Sequence, residues 1–189
     1  MNRLTIALLS AALICTTASA IAQSDADMKA MMAYATPGEV HRMLAKTVGS
    51  WTADVTMWMQ PGAPPTTSKA ECTNEMILGG RYLQSKNKGV FFGAPFEGIG
   101  IVGYDNAKKT FVTSWIDNMG TGLMYLTGTW DAASKSIVFT GSMVDPVAGG
   151  EVKVKQIMKF PDDNSQLMEM YSYTNGKEFK NMEIKYVRK

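Results

Sequence analysis

The 189-residue chain has one histidine and two cysteines, and it lacks a Gly-x-Ser-x-Gly segment. Because the single histidine, His41, precedes the predicted strands, the usual histidine-based acid–base and nucleophile signatures are missing. Basic and acidic residues nearly balance, 19 against 17, and no basic run follows the pattern of a phosphate-binding surface. The composition therefore argues against an enzyme, assigns no catalytic residue and excludes nucleic acid as a partner.

Long apolar runs are also missing, since the stretch Leu4 to Ile14 is too short to span a membrane. It follows the positive start Met1-Asn2-Arg3 and precedes small residues that end at Ala22. This three-part layout predicts a secretory signal peptide over residues 1–22, with cleavage before Gln23. We therefore expect a periplasmic or secreted protein without a membrane span.

Cleavage at this point removes Cys15 and leaves Cys72 as the only cysteine, so that the mature chain cannot form an internal disulfide. A domain of about 165 residues can bury roughly two-thirds of its surface without one. Cys72 lies in an alternating segment and is predicted to be a buried, inert thiol.

Residues 23–36 form a polar lead-in, either weakly ordered or a marginal helix, before a predicted short helix. Thr36 can cap this helix, Pro37 suits its first position, and Glu39 completes a capping box. Four apolar side chains share one face at helical spacing: Val40, Met43, Leu44 and Val48. We expect the helix to end at Gly49.

After Gly49 the apolar residues no longer follow helical spacing but occur at every second position, which is typical of strands with one face exposed to solvent. Turn-forming clusters separate about ten predicted strands: Trp51 to Gln60, Thr66 to Leu78, Arg81 to Phe92, Phe96 to Tyr104, Thr110 to Asp117, Thr121 to Trp130, Ser136 to Val144, Val152 to Phe160, Gln166 to Thr174 and Glu178 to Val187. The last two flank Asn175-Gly176, a hairpin signal.

Every connection is short, which favours a sequential meander, and closing the meander removes its exposed edges. We predict an all-β domain over residues 37–189, a single antiparallel up-and-down β-barrel of about ten strands with a short N-terminal helix. A sandwich of two sheets is the alternative. An outer-membrane barrel is disfavoured because long loops on one side and two aromatic girdles are missing.

Eight short segments together resemble a bacterial family of unknown function, numbered 1579 among the domains of unknown function, with a lipocalin-like (calycin) or nitrobindin-like barrel. The segments are Pro37-Gly38-Glu39-Val40-His41, Gly49-Ser50-Trp51, Gly79-Gly80-Arg81-Tyr82, Phe96-Glu97-Gly98, Gly103-Tyr104-Asp105, Trp115-Ile116-Asp117, Gly120-Thr121-Gly122 and Asp145-Pro146. The resemblance implies one barrel closed below by the helix, with Trp51 at its floor and an interior that can hold a small molecule. It implies no reaction. The nitrobindin relatives bind haem through a histidine late in the barrel, and this chain has none there, so no cofactor is expected.

Candidate ligand-binding residues are polar or aromatic side chains that the strands can turn inward: Arg81, Glu97, Tyr104, Trp115, Asp117, Glu169, Tyr171 and Glu183. An arginine facing carboxylates in a mostly apolar cavity can orient the head group of a small apolar or amphipathic ligand. A one-residue error in register turns every side chain to the other face, and charged residues are exposed by default, so ion pairs or solvent-facing charges are the favoured alternative for the charged members of this set.

Two other interpretations remain at this point. Paired carboxylates among Glu97, Asp117 and Glu169 would support acid–base catalysis, and a filled barrel would serve only as a structural or interaction scaffold. The pairs Met57 with Met59 and Met168 with Met170 suit Cu(I), but methionine more commonly fills irregular interiors, and we predict no metal site. The preferred hypothesis is a barrel that binds a small, partly apolar ligand inside.

Overall fold

The protein is described by a computed structural model over residues 24–174 and 176–189. The predicted signal peptide and Asn175 of the predicted Asn-Gly turn lie outside the described residues. The chain divides into two units, Met1–Thr36 and Pro37–Lys189. In the first unit, helix α1 covers residues 24–35, and the Thr36 hydroxyl donates a hydrogen bond to the Met32 carbonyl at 2.6 Å. None of the described helices has the length and hydropathy needed to cross a membrane.

The second unit is a closed antiparallel barrel preceded by a short helix, α2, over Glu39–Ala45. Its ten strands are β1 Gly49–Met57, β2 Thr66–Ile77, β3 Tyr82–Phe91, β4 Ala94–Asp105, β5 Thr110–Asp117, β6 Met124–Asp131, β7 Ser136–Asp145, β8 Gly150–Asp162, β9 Ser165–Thr174 and β10 Lys177–Arg188. Each strand pairs with its sequence neighbours, and β1 pairs with β10 to close the sheet. The predicted up-and-down barrel is confirmed.

Aspartates at the ends of five strands explain how the chain turns so tightly. In each, the carboxylate accepts a hydrogen bond of 2.8 or 2.9 Å from the backbone amide two residues later: Asp105, Asp117, Asp131, Asp145 and Asp162. In the turn this backbone amide has no partner on a neighbouring strand, and the aspartate side chain supplies one, which is why aspartate is favoured in turns. The β2–β3 turn instead uses the left-handed backbone of Leu78, Gly79 and Gly80.

The two ends of the barrel differ in how they are filled. Helix α2 covers the end where β2–β3, β4–β5, β6–β7 and β8–β9 turn, which we call the helix end; the opposite end is the far end. Leu44 of α2 is fully buried against a core of inward-facing side chains: Leu83, Val102, Phe111, Leu126, Ile137, Phe139 and Val154. The core therefore lies directly against the helix on its barrel side, and the helix is the floor of the barrel as the resemblance implies.

Trp51 and Arg188 attach α2 to the barrel through a set of contacts that we call the floor lock. The Trp51 ring is 1 % exposed, and its indole N–H donates to the Thr47 carbonyl at 2.9 Å. The Arg188 guanidinium lies 4.3 Å from the centre of the ring. It also donates to the carbonyls of Val48 and Lys46, both at 2.7 Å, and its Nε donates to that of Asp163 at 2.9 Å. One side chain thus joins β10, the segment after α2 and the β8–β9 turn.

Gly49 makes room for this arrangement. Its φ of +133° lies in a region that side chains rarely adopt, and a Cβ atom would come within 2.8 Å of the Arg188 guanidinium. The Gly49-Ser50-Trp51 segment therefore needs its glycine for backbone conformation and for space.

The predicted start and end of α2 are wrong. Gly38, not Thr36, is the N-cap residue, and its amide donates at 3.0 Å to Nδ1 of His41, which occupies the capping-box position predicted for Glu39. An imidazole nitrogen accepts this bond as a glutamate would. The helix ends at Ala45, because the amides of Lys46, Thr47 and Val48 donate to carbonyls three residues earlier instead of four.

Burial is the main cause that lowers the pKa of His41 below its ordinary 6.5, and the positive charge of Arg81 lowers it further. A hydrogen bond with the backbone of Tyr104 opposes these effects without cancelling them. The imidazole is 5 % exposed and is therefore neutral in the folded protein at pH 7. Only a neutral ring can accept the Gly38 bond.

Replacing Arg188 tests the floor lock. We expect Arg188→Ala to lower the free energy of unfolding by about 2 kcal/mol, because several charge-assisted hydrogen bonds and a cation–π contact are lost. Arg188→Lys should recover only part of this loss, since an ammonium group cannot reach three carbonyls in a fork. Urea unfolding measures the effect. Arg42→Ala, at an exposed arginine 4.0 Å from Glu39, is the control and should change stability by less than about 0.5 kcal/mol. Equal effects at both arginines would contradict the lock.

Replacing His41 tests its neutral state. Because the folded pKa is lowered, the unfolded chain binds the extra proton as the pH falls below 6.5, and stability decreases from there downwards. His41→Gln keeps an acceptor at the capping position but does not titrate. We expect its unfolding midpoint to fall less than that of the wild type between pH 7 and pH 5. The same pH slope in both proteins would show that His41 carries no such penalty.

Candidate ligand-binding site in the barrel interior

The eight candidate residues are divided among four places. Trp115 and Asp117 face the interior at the far end, since β5 places them in register with Gly100 and Gly98 on the face that includes buried Val102. Tyr104 also faces inward, but at the helix end. The other five lie on the outer face or in a turn.

Trp115 and Asp117 form a fixed aromatic shelf. The Trp115 indole N–H donates to one Asp117 oxygen at 2.7 Å, and the Met119 amide donates to the other at 2.9 Å. Phe96 stacks against the indole with a centroid distance of 6.3 Å and an interplanar angle of 18°. A Cβ atom on Gly98 would lie 2.3 Å from the indole ring, so the glycine allows the ring to lie against the β4 backbone.

Glu169, Tyr171 and Glu183 do not face the interior, contrary to prediction. β9 places Glu169 in register with Ile157 and Glu183, whereas its neighbours Met168 and Met170 share the inner face. Lys159 and Lys180 donate to Glu169 at 2.7 and 3.2 Å. Burial alone would raise the pKa of Glu169, but these hydrogen bonds outweigh it and hold the pKa below its ordinary value.

Tyr171 and Glu183 lie on the same outer surface as Glu169. Lys180 also pairs with Glu183, and Lys155 lies over the Tyr171 ring with its ammonium group 4.4 Å from the centroid. This lysine–glutamate network on β8, β9 and β10 is the ion-pair alternative that the sequence left open.

Arg81 and Glu97 are exposed and separate from one another. Arg81 donates to the Leu78 carbonyl at 3.0 Å within the β2–β3 turn, while Glu97 pairs with Lys88 at 3.0 Å on the outer face. The carboxylates of Glu97, Asp117 and Glu169 therefore do not converge on one point, as acid–base chemistry would require. Among residues 24–174 and 176–189, no three histidine, cysteine or acidic side chains are grouped as metal ligands.

Tyr104 packs against helix α2 at the helix end. Its ring meets Phe111 at 4.9 Å and His41 at 6.2 Å, in edge-to-face arrangements. Cys72 is buried in β2 beside Trp51, where its thiol donates to Asn74 at 3.2 Å, and burial raises its pKa to about 12. The predicted buried thiol is confirmed.

Sequence reasoning missed two buried amides that face the interior. Asn87 of β3 and Gln156 of β8 are each 8 % exposed, and neither has a hydrogen-bond partner among the residues that the structure describes. The two strands lie five places apart in the ring of ten, so the amides stand on opposite walls. Buried amides are normally paired, and an unpaired one is a feature that a ligand can satisfy.

The surroundings of the two amides differ. Asn87 is in register with Gly98, which in turn is in register with Asp117, so Asn87 lies on the side of the aromatic shelf. On the opposite wall, three neighbours continue the row from Gln156 across β9, β10 and β1: Met170, Met182 and Met57. Thioether side chains are flexible and adapt to different shapes. The interior is thus bounded by rigid aromatics on one side and adaptable methionines on the other.

Burial also changes along the barrel. The core side chains at the helix end are between 0 and 4 % exposed. At the far end the inward-facing apolar side chains are only half-buried: Met57, Phe91, Phe96, Trp115, Met124, Met143 and Val152. The inward-facing side chains are therefore packed more tightly at the helix end than at the far end.

Two clefts flank α2 at the helix end. One of about 470 Å³ lies between Val40, Tyr104, Phe111 and Trp130. The other, of about 250 Å³, lies between Met43, Trp130 and Phe160 and reaches the β8–β9 turn. Of the eight candidate residues, only Tyr104 lines either cleft.

Two solved structures share this architecture. Rv2717c from M. tuberculosis matches with a TM-score of 0.58 and 13 % identity, over 82 % of this chain and 99 % of that one. The S-type phycobiliprotein lyase CPES from Guillardia theta matches with a TM-score of 0.58 and 10 % identity, over 79 % of this chain and 92 % of that one. Identities this low support the barrel fold alone.

A search of curated proteins gives no match. A family model does match, over residues 36–188, which include α2 and nearly all of the barrel. The chain therefore belongs to the family described as "Protein of unknown function (DUF1579)".

Proposed function

We propose that the barrel binds a small, partly apolar molecule inside, entering from the far end. The observation that supports this most strongly is the pair of buried amides without partners, Asn87 and Gln156, on opposite walls. Neither amide is among the polar atoms that are fully buried without a partner, so both remain within reach of water or of a ligand. A ligand with one or two polar atoms on an apolar body supplies the missing partners.

The walls support a mostly apolar body. Trp115 and Phe96 present stacked rings, and the shelf is held in place by Asp117 rather than left to move. The methionine row facing the shelf can follow the outline of a ligand. Small-molecule sites typically combine such surfaces with a few well-placed polar groups.

Replacing the amides tests the proposal. Prodan, an uncharged naphthalene dye with a carbonyl acceptor, is a suitable probe because its fluorescence reports a change to apolar surroundings. We expect Asn87→Leu and Gln156→Met each to weaken its binding by up to about tenfold, because the ligand loses a hydrogen bond in an apolar site. The same variants should be as stable as the wild type or more so, because they remove unpaired polar groups.

Gln60→Met, at an exposed glutamine outside the strands, is the matched control and should leave the dissociation constant of prodan unchanged. Loss of stability without loss of affinity would mean that the two amides serve the fold, and the proposal would fail.

We also propose that the protein is exported and acts in the periplasm or outside the cell. The support is the charge, apolar run and small-residue ending of residues 1–22. Expression in a Gram-negative host followed by fractionation should recover the protein outside the cytoplasm, with an N-terminal sequence that starts at Gln23. A cytoplasmic protein that retains Met1 would contradict this.

A further inference from the structure

A cleft of about 250 Å³ lies at the helix end between α2 and the β6–β7 and β8–β9 turns. Its walls are aromatic and apolar. Trp130 and Phe160 stack with centroids 6.4 Å apart and an interplanar angle of 27°, and Met43 of α2 lies across from them. Trp130 remains 40 % exposed, which leaves a large apolar ring uncovered at the cleft.

One residue of the lining has an unsatisfied donor. Gln166 lines the cleft and is 9 % exposed, and its Nε2 atom is buried without a hydrogen-bond partner. Nε2 can only donate, so the missing partner is an acceptor. Few buried donors in folded proteins remain unpaired, which makes this one a feature that requires an explanation.

The charges that line the cleft are of both signs. Lys46 and Lys135 line it, and neither forms an ion pair within the described part of the chain. Asp162 and Asp163 line it as well. The Asp162 carboxylate accepts from the Ser165 hydroxyl and the Asn164 amide, both at 2.8 Å, and these bonds lower its pKa, so it stays negatively charged. An anionic ligand would therefore be held by the Gln166 amide and the two lysines, not by a net positive charge of the cleft.

We propose that this cleft binds a small planar apolar molecule that carries a carboxylate. Its ring system contacts Trp130, Phe160 and Met43, and its carboxylate accepts from Gln166 with Lys46 and Lys135 beside it. An apolar cavity of about 150 Å³ holds benzene, so the cleft has room for two fused rings. The site is separate from the barrel interior and does not rest on the function proposed there.

The acid 2-naphthoate is a probe of this chemistry, and 2-naphthylmethanol is the matched compound without the charge. We expect calorimetric titration of the full-length protein to show tighter binding of the acid than of the alcohol. Gln166→Leu should weaken binding of the acid by about tenfold while leaving the unfolding midpoint unchanged or higher, because it removes an unpaired donor.

A second variant, Lys46→Gln with Lys135→Gln, leaves the cleft walls intact and should also weaken binding of the acid, but not of the alcohol. Lys109→Gln, at a lysine that lines the other cleft, is the control and should have no effect. Unchanged affinity for the acid in both the Gln166 variant and the double lysine variant would overturn the proposal.

Indole N–H resonances locate the probe, because the four tryptophans lie in different places. Binding in the cleft should shift the signals of Trp130 and Trp51 and leave that of Trp115 unchanged. Shifts confined to Trp115 would place the acid in the barrel interior. That result would refute the second site while supporting the interior one, so the two proposals fail separately.

Discussion

The contact between Trp51 and Arg188 is the constraint on which the rest of the structure depends. The two residues face each other in the register of β1 and β10, the strands that close the barrel. The same guanidinium binds carbonyls after α2 and in the β8–β9 turn. The same side chain therefore takes part both in closing the sheet and in attaching the helix to it. Gly49 is required because a side chain there would occupy the space of Arg188.

A floor fixed in this way explains why the interior is uneven. Leu44 and the core side chains above it fill the helix end, so a ligand can enter only where the inward-facing side chains remain half-buried. Of the two amides without a partner, Asn87 lies nearer the far end than buried Leu83 of β3, whereas Gln156 lies two residues nearer the helix end than buried Val154 of β8. The clefts beside α2 arise for a different reason, since a helix of seven residues is too short to cover the whole end of a ten-stranded barrel.

Much of the fold was predictable, because alternating side chains and aspartate turns are local signals; β5 matches its predicted bounds from Thr110 to Asp117. The site was harder to predict. Glu169 and Glu183 lie in strands whose two faces both mix polar and apolar residues, so the sequence does not show which face turns inward. A β-bulge between Lys180 and Met182 also shifts the register of β10. No sequence pattern marks that bulge. Gln156 did carry a signal, as a polar residue on the apolar side of β8, but Asn87 lies in a strand with little alternation.

A barrel that is closed at one end by α2 and holds a ligand inside should show that ligand in a crystal structure of the protein soaked with prodan. We expect electron density for the dye between Asn87 and Gln156, with its rings beside Trp115. Density found only on the outer surface, with the two amides hydrogen-bonded to side chains that fill the interior, would contradict it.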